Sequence, residues 1–365
     1  MRIDRVELVH ISLPLLGAFR SAIAAKAECE SLLLRVNGEG ISGWGEVVAD
    51  TKPSYAPETV VTARHVLKDF LVPAVLGKSF ASVDEALATF SWVRGHVMAK
   101  AGLELALWDW WGRATKTSLS KLLGGTKAQV DVGVSVGLAG DEAELRATLE
   151  RFHGDGYRRF KLKVTPGWLE VPLRAARDVL QGAPLAIDAN GTFTPEHTER
   201  LQVSGPLQFL EQPLAWDDLV MHAALKRSGA PPVALDESIS TWAQLESAIA
   251  LDALDVVNVK PGRIGGLSLA VRCLTRARAA GLGTFVGGML ETAIGRAGNV
   301  ALASLQSVTL PSDLSATARY FETDIGSAFV LREGSRLDVP TSPGLGIEVD
   351  EGALRRFTLA SEFLT

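Results

Sequence analysis

Five short apolar runs between Phe160 and Lys260 each end in a charged residue. They are Phe160-Lys161-Leu162-Lys163, Leu185-Ala186-Ile187-Asp188, Leu207-Gln208-Phe209-Leu210-Glu211, Val233-Ala234-Leu235-Asp236 and Val256-Val257-Asn258-Val259-Lys260. Asp188, Glu211 and Asp236 are hard oxygen donors with neither His nor Cys among them, a set that favours Mg²⁺, or Mn²⁺, over zinc. Any one of these acids reads equally well as a helix cap or an ion-pair partner. Three at matched positions would repel one another unless a cation lay between them. Lys161 and Lys163, two apart on one strand, point to the same side. Inside a barrel an ammonium is costly unless paired or deprotonated, and burial beside a dication lowers a lysine's pKa and makes it a base. Lys260 lies three strands beyond Asp188, across the mouth. Two lysines facing each other over a metal suit removal of a proton from the carbon next to a carboxylate. The metal would stabilise the resulting enediolate, and the second lysine would return the proton or hold charge. The implied partner is a small-molecule carboxylate. Arg263, three residues after Lys260, has two readings: a like charge that lowers the pKa of Lys260, or a surface arginine on the turn.

The spacing says what must position these groups. From Lys163 the intervals are about 25, 23, 25 and 24 residues, one strand–loop–helix–loop unit each. Apolar runs separated by helical segments read as buried parallel strands, and on a closed parallel barrel the carboxyl-terminal rim is where chemistry is done. The expected class is α/β. The first barrel strand is expected at Val130–Val136, with Ser135 near its end, and a last short strand at Val308–Leu310. Ahead of the barrel, three antiparallel strands are expected at Ile3–Ile11, Ser31–Val36 and Gly43–Val48, the last two joined at Asn37-Gly38-Glu39-Gly40. Pro14–Ala27 and Ala49–Pro57 have little periodicity and read as surface loops, with active-site lids as the other possibility. Helices follow at Pro57–Phe70, Ser82–Val93 and Ala99–Thr115. The last is apolar on nearly every side and so expected to be buried between domains. This divides the chain into a capping region (1–125), a barrel (126–325) and a C-terminal segment (326–365) that packs back on the cap.

Composition excludes several classes. The 365 residues are 47% hydrophobic and 22% charged, with a formal net charge of −5, which gives no reason to expect nucleic acid or an anionic membrane as partner. No signal peptide or membrane span is expected. Cys29 and Cys273 are far apart, without metal-ligand spacing, and read as reduced thiols of a cytoplasmic protein.

The motif set resembles the enolase superfamily. It comprises Lys161-Leu162-Lys163, Asp188-Ala189-Asn190, Glu211-Gln212-Pro213, Asp236-Glu237-Ser238 and Lys260-Pro261-Gly262-Arg263-Ile264-Gly265-Gly266. A lysine on each side of the metal is similar to the muconate-lactonising-enzyme subgroup. The stretch Gly287-Gly288-Met289-Leu290-Glu291-Thr292-Ala293-Ile294-Gly295-Arg296 resembles the o-succinylbenzoate synthase/N-acylamino acid racemase family, as do Gly43-Trp44-Gly45-Glu46 and Met98-Ala99-Lys100. The resemblance implies a modified (β/α)₇β barrel with an α+β cap. It implies Mg²⁺ on Asp188, Glu211 and Asp236, with Lys163 and Lys260 as the acid/base pair. Ser135, Lys161, Asn190, Arg263, Gly288 and Met289 would serve the substrate. The implied task is dehydration in menaquinone biosynthesis, racemisation of N-acylamino acids, or both, in a homo-oligomer between dimer and octamer. Gly17-Ala18-Phe19-Arg20-Ser21 lacks the proline family members often carry there, and Gly298 stands where many have His. A muconate cycloisomerase, a dipeptide epimerase and an inactive metal-binding scaffold are the alternatives. Met289-Leu290-Glu291 in place of Asp-x-Asp argues against the epimerase, and the intact lysine pair argues against the scaffold.

Overall fold

The structure, a computed structural model, describes residues 1–202 and 205–365. Strands β1 (Arg5–Arg20), β2 (Ala25–Gly38) and β3 (Ile41–Val47) form an antiparallel sheet. The β2–β3 turn falls where expected, with Glu39 and Gly40 both left-handed at φ 53° and 76°, the two-residue turn that matches strand twist. The β1–β2 hairpin runs much further than the expected strands. Pairing continues through Ser12↔Glu30, Leu13↔Cys29 and Pro14↔Glu28, then resumes at Phe19↔Lys26 and Arg20↔Ala25. Pro14 has no N–H for the ladder, and the irregularity between Pro14 and Phe19 absorbs it. Ser21 closes the tip: its N–H donates to Ala24 O (2.8 Å) and its Oγ accepts from Ala24 N (3.1 Å).

Helix α1 (Val60–Val66) passes through a wider π turn at Leu67–Leu71 into α2 (Val72–Val75). The expected stop at Phe70 does not occur, because the π turn makes room for Pro73. Next come α3 (Val83–Ala88), α4 (Val97–Ala114) and α5 (Leu119–Leu122). The apolar α4 is buried along most of its length and lies directly on β3. A Cβ at Gly43 would stand 2.3 Å from Trp110 N, and one at Gly45 only 2.0 Å from Gly102 O. Those two glycines set the helix–sheet distance.

The barrel half of the chain holds β4 (Gln129–Asp131), β5 (Val134–Val136), α6 (Glu142–Gly154), β6 (Phe160–Lys163), α7 (Glu170–Leu180) and β7 (Leu185–Asp188). It continues with β8 (Leu210–Glu211), α8 (Leu219–Arg227), β9 (Val233–Leu235), α9 (Trp242–Ala250) and β10 (Val256–Val259). Last come α10 (Pro261–Ile264), α11 (Leu267–Ala279), β11 (Gly283–Val286) and α12 (Ala293–Ala303). Strands β5 to β11 form one parallel sheet in chain order. Between β7 and β8 a 3₁₀ segment, Pro195–Leu201, replaces the α-helix. The remaining gap is bridged by Ser312, parallel to Val132, and Asp313, parallel to Gly287. The last strand expected at Val308–Leu310 is therefore displaced. Thr309 and Leu310 donate to Thr284 O, both at 3.0 Å, at the start of β11, and pairing up the barrel begins only after Pro311.

Alternation along the strands divides the core. Leu162, Ile187, Leu210, Leu235 and Val257 belong to the apolar layer outside the barrel, while Ala186, Phe209, Ala234, Val256 and Phe285 cluster within it. Phe209 and Phe285 stack at 5.1 Å between centroids, with Arg159 over both rings. The chain ends in β12 (Arg336–Asp338), paired with β4, then α13 (Glu351–Phe357) and β13 (Thr358–Leu364), which pairs antiparallel with β1. This is the modified (β/α)₇β barrel with a separate antiparallel sheet. Among the described residues no helix is long and apolar enough to cross a membrane. Cys29 and Cys273 are free and buried.

Candidate active site

The strand ends bring the charged residues together at one rim. Asp188 closes β7 and Glu211 closes β8; Asp236 and Lys260 directly follow β9 and β10. One oxygen from each of the three acids lies within 4.8 Å of the others, and all three side chains are buried. That spacing and the all-oxygen donor set fit a hard dication. Burial, and then the charges of Asp188, Asp236 and Asp313, push the Glu211 carboxyl up to about 8 despite Lys161 beside it. A bound cation would relieve the repulsion that Glu211 meets from its neighbours.

Three lysines surround the acids. Lys161 Nζ donates to Glu211 Oε2 at 2.7 Å, lies 3.5 Å from Asp188 Oδ2 and also pairs with Asp313. Burial alone would lower this ammonium, but Asp313, Glu211 and Asp188 outweigh it and hold it well above the usual lysine value. Of the two ways an inward ammonium is made tolerable, pairing or deprotonation, Lys161 shows pairing. It is a fixed charge, compensated on several sides. Lys163 Nζ donates to Asp188 Oδ2 (2.7 Å) and Asn190 Oδ1 (2.8 Å). Lys260 Nζ donates to Asp236 Oδ2 (2.8 Å) and Tyr55 OH (3.1 Å). Strands β6 and β10 are four places apart in the sheet, so in an eight-membered ring Lys163 and Lys260 face each other across the acids.

Arg263 is not on the surface. Its Nε donates to Ile239 O at 2.8 Å, and its terminal nitrogens reach Asp236, Tyr55 OH (3.3 Å) and Asn258 O. Arg263 thus reaches Asp236 and Tyr55 from behind, and it is absent from the wall of the central cavity. Burial would raise the Asp236 carboxyl, but Lys260 and Arg263 override it and hold it below the ordinary carboxylate range. Arg263 therefore meets Lys260 through a shared carboxylate.

A cavity of about 730 Å³, open to solvent, covers the rim. Ser135, Lys161, Lys163, Asp188, Asn190, Lys260, Gly288 and Met289 line it, as do Phe19, Ser21, Ile23, Ala24 and Lys26 of the hairpin, with Asp50 and Tyr55. Both irregular stretches, expected as surface loops, are thus walls of the site. Backbone strain collects here too: Asn190, Gln212 and Leu290 are left-handed at φ 45°, 37° and 67°, conformations held only where the surroundings impose them.

Four further residues carry the geometry. Gln212 Oε1 accepts from Asp236 N (3.0 Å) and Ser238 N (3.2 Å), and its Nε2 donates to Ser238 Oγ (2.7 Å), tying the Glu211 strand to the Asp236 turn. Asn258 Nδ2 donates to Glu211 Oε1 at 2.8 Å. Its signal was a polar residue two before Lys260, hence on the same inward side. Tyr55 OH donates to Asp236 Oδ1 at 2.8 Å. Asp313 pairs with Lys161 and Arg159; its strand shrinks to two bridging residues and leaves no periodic signal.

Comparison with known proteins agrees with this geometry. Residues 144–353 match the enolase C-terminal domain-like family, and residues 5–124 match the mandelate racemase/muconate lactonizing enzyme N-terminal domain. The o-succinylbenzoate synthase of Geobacillus stearothermophilus is 39% identical over 361 residues, covering 98% of this chain and 96% of the relative. The N-succinylamino acid racemase of Thermus thermophilus is 38% identical over 370 residues and the whole of both chains. A solved enolase-superfamily structure from Listeria innocua superposes with a TM-score of 0.94 at 33% identity, covering 100% of this chain and 99% of the other. The chain belongs to the enolase superfamily, as an enzyme of the branch that contains o-succinylbenzoate synthases and N-succinylamino acid racemases.

Proposed function

We propose that the enzyme removes the proton α to a carboxylate through an enediolate, acting as an o-succinylbenzoate synthase, an N-succinylamino acid racemase, or both. The observation that carries this reading is the pair of lysines, Lys163 and Lys260, on opposite sides of three buried carboxylates. Asp188, Glu211 and Asp236 would hold Mg²⁺, which when bound supplies the positive charge that stabilises an enediolate. Asp188 and Asn190 position Lys163 Nζ, and Asp236 and Tyr55 position Lys260 Nζ.

In racemisation one lysine, as the free amine, takes the α-proton from one face, and the other, as the ammonium, delivers a proton to the opposite face. In the synthase reaction Lys163 takes the α-proton and then protonates the departing hydroxyl, while Lys260 remains a cation beside the developing negative charge. Both substrate classes carry a succinyl group and so a second carboxylate. The test is solvent deuterium exchange at Cα of N-succinyl-L-amino acids with Mg²⁺, alongside turnover of the synthase's cyclohexadiene substrate. Turnover of the cyclohexadiene alone marks a dedicated synthase, and exchange marks racemase chemistry. Failure of both with metal bound rejects the reading.

A further inference from the structure

The lid side of the cavity differs in character from its floor. It is built from Phe19, Ile23 and Ala24 of the hairpin together with Met289 and Leu290, an apolar wall. On that wall stands one cation, Lys26, whose ion-pair partner among the described residues is Asp50. Their side chains are 26% and 19% exposed, so the pair is neither solvated nor sealed. The two residues come from different segments. Lys26 sits opposite Phe19 in the hairpin, while Asp50 is anchored through its carbonyl, which accepts from Val60 N at 3.0 Å. Lys26 and Asp50 also line a second cavity beyond them, whose other walls include Glu28, Glu30, Glu46 and Glu291. An anionic group entering from the rim meets an ammonium at Lys26 and acids behind it.

We propose that Lys26 is a specificity-determining residue for the succinyl end of the substrate, its ammonium receiving the distal carboxylate and Asp50 serving as its partner at rest. The inference rests on the function proposed above. With the reactive carboxylate at the rim, the succinyl arm extends away from it. Lysine's flexible stem lets a point charge swing between two carboxylates, so one ion pair is exchanged for another and Lys26 is never left unpaired. The acids behind it stop the anion there.

The test compares N-succinyl-L-phenylalanine with N-acetyl-L-phenylalanine, which lacks only the distal carboxylate arm. Affinity is read by calorimetry and exchange at Cα by NMR, on Mg²⁺-loaded wild type, Lys26→Met, Lys26→Arg and Asp50→Asn. The succinyl-to-acetyl ratio in both affinity and kcat/KM is expected to fall about tenfold in Lys26→Met, as one charge-assisted hydrogen bond is lost. The loss should appear chiefly in KM. Lys26→Arg should restore the ratio, and Asp50→Asn, by freeing the ammonium, should raise it. A Lys26→Met enzyme that keeps the ratio, or loses both substrates in proportion, overturns the proposal. Preferential succinyl binding that depends on Lys26, with no exchange of either compound, upholds the subsite and rejects racemase chemistry. Absence of any preference in the wild type rejects the subsite, whatever the reaction proves to be.

Discussion

The rim and the lid meet over one cavity but are built on opposite principles. At the rim, charged groups occupy the last inward positions of successive strands and are each held by several partners. Asp236 alone is bonded by Lys260, Tyr55 and Arg263, and its backbone by Gln212. At the lid, the wall is apolar and carries one partly exposed ion pair, between Lys26 and Asp50. The rim side chains are fixed from many directions, whereas the lid is held by its backbone ladder and leaves its side chains free to vary. On the function proposed, the rim would set the reaction and the lid what is brought to it.

Substitutions at the rim should be the most damaging. Lys163→Ala and Lys260→Ala are each expected to lower racemisation by about a thousandfold or more, at the upper end of what general acid–base groups contribute. Steady-state polarimetry with D₂O exchange checks this. Removing the metal with a chelator should abolish exchange, and Mg²⁺ should restore it. Activity that survives chelation would contradict the reading of Asp188, Glu211 and Asp236. One layer out, Gln212→Ala should weaken Mg²⁺ binding about 10–100-fold, because it frees the Asp236 turn. Calorimetry of metal binding reads this directly, and unchanged affinity would show that the strand ends need no such tie.

The smallest effect lies where cap and barrel join. Glu46 accepts from Thr292 N (3.1 Å), Thr292 Oγ1 (2.7 Å) and Gly295 N (2.8 Å) at the start of α12. Burial raises its carboxyl from 4.5 to about 7 despite these donors. A folded-state value above the unfolded one means that the folded protein holds the proton more tightly. The stability this group contributes is therefore full below pH 4.5 and lost as pH rises toward 7. Glu46→Gln should remove that loss, a change of roughly 3 kcal/mol at most across the window, read from urea unfolding at several pH values. An unaltered pH dependence would place the titrating group elsewhere.

The sequence made the barrel legible because its signal is periodic. Lys163, Asp188, Glu211, Asp236 and Lys260 recur at near-equal spacing, and each ends an apolar run. The lid lacks such a signal. Pro14 and Gly17 break the alternation of β1, and Ala25-Lys26-Ala27 has the composition of a loop or helix. Yet those residues are strand, because the partner arm supplies the hydrogen bonds. Asp313 was invisible for a different reason: two bridging residues are too few to show a period. Arg263 was visible as a residue, but its burial was not, since a Pro-Gly turn looks solvent-exposed until Tyr55 of the cap folds over it.

The most direct test of the two-lysine account is Cα deuterium exchange measured separately on N-succinyl-L- and N-succinyl-D-phenylalanine with the two lysine variants. If each lysine serves one face, Lys163→Ala and Lys260→Ala each lose racemisation, yet each keeps exchange with one enantiomer, and with opposite ones. Loss or retention of the same enantiomer in both variants would mean that the lysines do not act on opposite faces.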